Sequence, residues 1–96
     1  MEYIENMLCY EDYCRLRESV DWLIFSKEQT EEAINNSLYT VIAVEDNQTV
    51  GMGRLIGDGM YFIIADIIVY PAYQKNGIGS KIIDRMIEYV NNLTPI

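Results

Sequence analysis

Between Tyr70 and Val90 the chain reads YPAYQKNGIGSKIIDRMIEYV, and the residues able to do chemistry there are two glycines and a set of small donors. A helix opening near Gly77 leaves its first N–H groups without intrahelical partners, and its dipole adds about half a positive charge at that end. Gly77 and Gly79 carry no side chain to hold an anion away from those N–H groups. Asn76 tolerates left-handed backbone geometry, and Gln74, Lys75, Ser80 and Lys81 add side-chain donors. Such a set suits a pyrophosphate. The same GxG is also the pattern of a glycine-eased turn from strand to helix. Two better-known phosphate loops do not fit: GxxxxGK followed by Ser or Thr is absent, and GxGxxG fails because residue 82 is Ile.

Other chemistries are excluded by what the chain lacks. It has no histidine, so no imidazole can activate a serine or cysteine nucleophile. Cys9 and Cys14 fall short of the four soft ligands of a zinc site, so no metal is expected, and they read as reduced thiols. Fifteen acidic against seven basic residues give a net charge of −8, the opposite of a nucleic-acid binder. That balance is compatible with a cationic amine substrate and equally with an ordinary soluble cytosolic protein. Asp66 is the one ionisable side chain within the apolar run MYFIIADIIVY, which makes it a candidate general base. The alternative is a carboxylate hydrogen-bonded at an irregularity of the strand.

The elements that must position these residues follow from the hydrophobic pattern. Ninety-six residues without linker or repeat form one domain, 1–96. Residues 2–8 read as a short edge strand. Tyr13, Leu16, Val20 and Leu23 recur at helical spacing. Ser26 followed by Gln29 is a capping box opening a second helix to about Asn36. Residues 38–44 and 49–57 read as strands around a turn at Asp46-Asn47-Gln48, and Asp58-Gly59 signals a hairpin. The run 60–70 is apolar on both faces, as a central strand would be, and Pro71 ends it. The last helix, about Gly77 to Asn92, carries Ile78, Ile82, Ile83, Met86, Ile87 and Val90 on one stripe. The expected class is α/β (α+β) in the order β-α-α-β-β-β-α. No signal segment and no membrane-length apolar run is present, so a cytoplasmic location is expected.

DIIVYPAYQKNGIGSKIIDRMIEYV resembles motif A of the GNAT superfamily of N-acetyltransferases: D-x-x-V-x-P, then Gln or Arg, x-x-G-I-G, then an amphipathic helix. Asp66, Val69, Pro71, Gln74, Gly77, Ile78 and Gly79 each fall on the pattern. LRESVDW and GMGRLIGDG are similar to the first helix and the second and third strands of small bacterial members. The resemblance implies a mixed sheet with helices on both faces and an acetyl-CoA site. Main-chain groups of Ile67, Ile68 and Val69 would pair with the pantetheine arm. Main-chain N–H groups of Lys75, Asn76, Gly77, Ile78, Gly79 and Ser80 would hold the pyrophosphate, with Gln74 at the mouth of the loop. It implies transfer of an acetyl group from acetyl-CoA to a primary amine of a small molecule or protein, Val69 or a neighbour supplying an oxyanion N–H. Tyr70 and Tyr73 are phenols on the loop side. Arg15, Arg17 and Trp22 are candidates for the acceptor border, Trp22 being read first as a core anchor between two helices.

The family normally continues with a further strand, a helix and a hairpin, and a tyrosine of that later helix commonly protonates the leaving thiolate. Relative to that pattern the chain reads as C-terminally truncated, with no general acid assigned. The expected consequence is an uncovered sheet edge and a homodimer that covers it. The second functional reading is a CoA-binding, dimer-forming relative without turnover.

Overall fold

Asp46 and Asn47 both take left-handed backbone angles, φ 50° and 63°, as a two-residue type I′ turn requires. They fold β2 (Tyr39–Glu45) back on β3 (Gln48–Gly57), with Glu45 opposite Gln48. A looser loop joins β3 to β4 (Phe62–Val69). There the Asp58 carboxylate accepts from the N–H groups of Met60 and Tyr61 at 2.9 and 3.0 Å, and Gly59 takes φ 101°. β1 (Glu2–Glu5) pairs with β2 on the other side, giving one sheet in the order β1-β2-β3-β4. The structure, a computed structural model, describes residues 1–93.

Helices α1 (Tyr10–Ser19) and α2 (Lys27–Asn35) precede β2, and α3 (Ile78–Leu93) follows β4 through a single 3-10 turn at Pro71–Tyr73. The capping box is realised: Ser26 Oγ accepts from Gln29 N–H at 3.2 Å. The period-two alternation of the strands splits the core between the two faces of the sheet. Tyr39, Val41, Ala43 and Leu55 meet Ile78, Ile82 and Met86 of α3, while Ile42, Met52 and Ile68 meet Leu8 and Tyr13 and Leu16 of α1. The order of elements and the helices on both faces are as expected. No helix among the described residues is long and apolar enough to cross a membrane.

The differences are informative. All three ladders are antiparallel, so the mixed character expected of the sheet is not present among these four strands. β4 is an edge strand rather than a central one: Ile63 and Ile64 are 62% and 42% exposed. Ile87, placed by periodicity on the buried stripe of α3, is 48% exposed because that flank of the helix overhangs the same edge. Trp22 is exposed on the α1–α2 loop and is not a core anchor. Its ring stacks on a guanidinium instead, 5.3 Å from Arg17 Cζ.

Candidate active site

The site is organised by one extra residue. Met52 pairs with Ile68 and Arg54 with Ala65, so Gly53 alone faces both Asp66 and Ile67. That is a β-bulge, and Asp66 sits in it with φ 56°, a left-handed conformation that Asp tolerates better than most residues. Gly53 is required by the same feature. A Cβ there would lie 2.6 Å from Ile67 Cδ1 and Met86 Cε and 2.7 Å from Ile82 Cγ2.

Asp66 is fully engaged. Its Oδ1 accepts from Arg17 Nη1 at 2.8 Å, and its Oδ2 accepts from Arg54 Nε at 2.9 Å and from the Tyr13 hydroxyl at 2.7 Å. The Asp66 side chain is 9% exposed and both arginine side chains 11%. Each carboxylate oxygen is thus already occupied by strong donors, and nothing aims the group at a reacting proton. The general-base reading of Asp66 is corrected to the hydrogen-bonded carboxylate at a strand irregularity. Burial first, and then the hydrogen bond to Asp66, hold the Tyr13 phenol above its ordinary pKa.

Beyond the bulge the strand presents its open edge. Tyr70 N–H donates to Val50 O at 2.8 Å, so the main chain of residue 70 faces β3. By alternation the groups of Ile68 face β3 as well, and those of Ile67 and Val69 face outward. Ile68 is therefore corrected: its main chain serves the sheet and not an added partner. Val69 O is reached from outside by Gln74 Nε2 at 3.0 Å, which folds the loop back on the strand end. Its N–H is directed to the same open side.

The loop then turns into α3. Asn76 Nδ2 donates to Tyr73 O at 3.2 Å, and Lys75 and Gly77 take φ 69° and 79°. Lys81 N–H makes the first helical bond, to Gly77 O at 3.1 Å, so the amides of Ile78, Gly79 and Ser80 point out of the helix end. No acidic residue occupies the first turn. The two glycines differ in what they do. A Cβ at Gly77 would meet nothing within 4 Å, leaving open space above the helix end. At Gly79 a Cβ would lie 3.7 and 3.8 Å from methyl groups of Ile67 and Val69, ordinary contact, so this glycine faces the strand rather than an incoming anion.

The remaining sequence candidates have other duties. Arg15 Nη2 donates to Thr49 O at 2.7 Å and pairs with Asp12, tying α1 to the β2–β3 hairpin. Tyr70 and Tyr73 are half-buried against the α3-side core. Arg17 does reach the site, through Asp66, while its Nε donates to Leu23 O at 2.7 Å and its guanidinium lies against the rings of Tyr13, Trp22 and Phe25. Sequence reasoning missed Arg54 and Tyr13. A signal existed for Arg54: folding the strands about the Asp58-Gly59 hairpin puts this lone charge of β3 beside the lone charge of β4. Among the described residues no group of three or more His, Cys, Asp or Glu is placed to hold a metal ion.

Comparison with known proteins follows the same outline. A model of the acetyltransferase (GNAT) domain matches residues 11–95. A probable acetyltransferase from meticillin-resistant Staphylococcus aureus superposes with a TM-score of 0.88 at 34% identity, covering 96% of this chain and 70% of that one. A GNAT-family acetyltransferase from Streptococcus pneumoniae gives 0.82 at 30% identity, covering 94% of this chain and 67% of that one. An aminoglycoside 6′-N-acetyltransferase solved with coenzyme A shares the fold, with a TM-score of 0.79 at 19% identity, covering 97% of this chain and 57% of that one. No protein of curated function matches.

Proposed function

The chain belongs to the GNAT acetyltransferase family, and on that premise we propose that it transfers an acetyl group from acetyl-CoA to a primary amine of a small molecule or a protein. One observation carries the reading. The open edge of β4 runs directly into a helix N-terminus, through a loop whose Gly77 holds φ 79° and leaves its side-chain space empty. The outward amides of Ile78, Gly79 and Ser80 suit a pyrophosphate, and the outward main chain of Ile67 and Val69 suits the amides of a pantetheine arm. The aminoglycoside acetyltransferase of the same fold, solved with coenzyme A, supports this choice of co-substrate.

The amine attacks the thioester carbonyl: a C–N bond forms, the C–S bond breaks, and the proton lost by nitrogen is matched by one gained at sulfur. A main-chain N–H of this open edge, of Val69 or a neighbour, steadies the oxyanion. With Asp66 committed to Arg17, Arg54 and Tyr13, the ammonium proton passes to water. Unpaired Cys9 and Cys14 suit the reducing cytoplasm in which we place the reaction. We also assign a second copy of the chain to the exposed Phe62–Ala65 half of the β4 edge.

Thermal denaturation with and without CoA tests the reading. At CoA a hundredfold above its Kd the wild type gains about 2.7 kcal/mol, which raises Tm by roughly 10 °C or more for a domain of this size. Gly77→Asp puts a carboxylate into the empty space and removes that gain. A wild type indifferent to CoA overturns the proposal. Release of free thiol from acetyl-CoA with a panel of amines separates transfer from binding alone.

A further inference from the structure

We infer that Asp66 is a positioning residue: clamped between Arg17 and Arg54, it sets the bulge that presents the Ile67 and Val69 main chain, and through Arg17 it joins the Trp22–Phe25 loop to that edge. The inference rests on the CoA reading of the β4 edge and adds to it the residue that holds the edge in place.

A bulge is an insertion into one strand, and the left-handed Asp66 inside it has no register partner on β3. What holds it here is the side chain. Tyr13 and Arg17 approach from α1, and Arg54 approaches from β3. Arg54 is itself fixed on α2 and its C-terminus, where Nη1 donates to Ala33 O and Ser37 Oγ, both at 3.1 Å. Two elements outside β4, α1 and β3, therefore converge on one carboxylate that is 9% exposed, and α2 braces one of its donors. The next residue is Ile67, the first past the bulge whose main chain faces the open edge. A rotation about ψ of Asp66 turns the rigid peptide plane that carries the Ile67 N–H.

The same carboxylate is tied to the α1–α2 loop. Its residues Trp22, Leu23 and Phe25 are exposed, and the guanidinium of Arg17 links them to Asp66. Arg17 Nε binds Leu23 O, and the cation lies 5.3 and 5.4 Å from the Trp22 and Phe25 ring centres. Loop, arginine, carboxylate and cofactor edge thus form one continuous chain of contacts. Trp22 is the sole tryptophan, so its emission reports on that chain.

The test uses the full chain, CoA as the titrant, and a temperature at which every variant is folded. Calorimetry gives the CoA Kd, and Trp22 emission is followed in the same titration. Asp66→Asn keeps size and tolerance for the left-handed angle but loses the charge, and Arg17→Gln releases the clamp from the other side. Both are expected to weaken CoA about tenfold and to shrink the CoA-induced change in Trp22 emission. Arg17→Lys, which keeps the charge, is expected to retain most of the affinity. Tyr89→Ala removes the stack on Tyr39 on the α3 side of the sheet, opposite α1, and is expected to lower Tm while leaving Kd unchanged. Wild-type Kd in Asp66→Asn and Arg17→Gln, whatever their Tm, overturns the positioning role and leaves the CoA reading standing. Should Asp66→Asn not fold, the Arg17→Gln and Arg17→Lys pair decides. A wild type without CoA affinity overturns both.

Discussion

One carboxylate facing two guanidiniums is an unequal match, and the energetics of Asp66 follow from that. With side chains 9–11% exposed, the three groups have given up most of their water. Removing the carboxylate strands two cations rather than one. Asp66→Ala is accordingly expected to lose about 3–5 kcal/mol in urea denaturation, the range for breaking a buried pair from one side. A loss under 1 kcal/mol would mean that solvent screens the cluster. Tyr13 supplies a second reading of the same cluster. Its folded pKa is raised above the ordinary value of 10.0, by burial first and by its bond to Asp66 second. Its contribution is therefore complete below the unfolded pKa and is lost as pH rises through the folded one. Tyr13→Phe should flatten the alkaline limb of stability against pH, and identical limbs in the two proteins would refute this. The sequence marked Asp66 because a lone charge in an apolar run calls for a partner. It could not pair Asp66 with Tyr13 or Arg17, which stand 53 and 49 positions away and meet it only when α1 packs on the sheet.

At the scale of elements, β3 and α3 fit because β3 is bare where the bulge pushes Ile67 inward. Gly53 gives Met86, Ile82 and Ile67 one shared space. Gly53→Ala would have to displace three side chains together, and is expected to cost about 1–3 kcal/mol. It should also weaken CoA, because the displaced Ile67 belongs to the cofactor edge. A variant with wild-type stability and CoA affinity would show that α3 yields freely. Local signals were legible here: the Ser26 cap, the Asp46-Asn47 turn, the Asp58-Gly59 loop and the helix opening after Gly77 were all readable, since each depends on neighbours in sequence. The status of β4 was not. A nearly unbroken apolar run says that both faces and edges want cover, without saying whether the chain itself supplies it, so the pattern alone makes β4 central and Ile87 buried. The direction of main-chain groups, which separates Ile67 and Val69 from Ile68, was hidden for the same reason: it depends on the phase of the bulge.

For the whole molecule, the bulge divides the open edge of β4 into two halves with different chemistry. Past Asp66 the edge leads to the loop and the helix end, where the cofactor is proposed to bind. Before it, Ile63 and Ile64 at 62% and 42% exposure, with Ile87 across a groove lined also by Phe62, Met86 and Val90, make a continuous apolar border. An unpaired apolar strand is a template for a like strand. Two copies meeting antiparallel about a twofold axis would bring the same residues to each side, which a closed dimer requires. On that basis the 96-residue chain is proposed to sediment as a dimer at micromolar concentration, with Ile63→Lys and Ile87→Lys shifting it to monomer. Because the two halves are separate, the same variants should keep their CoA-dependent rise in Tm. Loss of the CoA response together with dimerisation would show that the halves are one surface. A wild-type monomer across that range would instead leave the Phe62–Ala65 edge free, and the border would need an occupant other than a second copy.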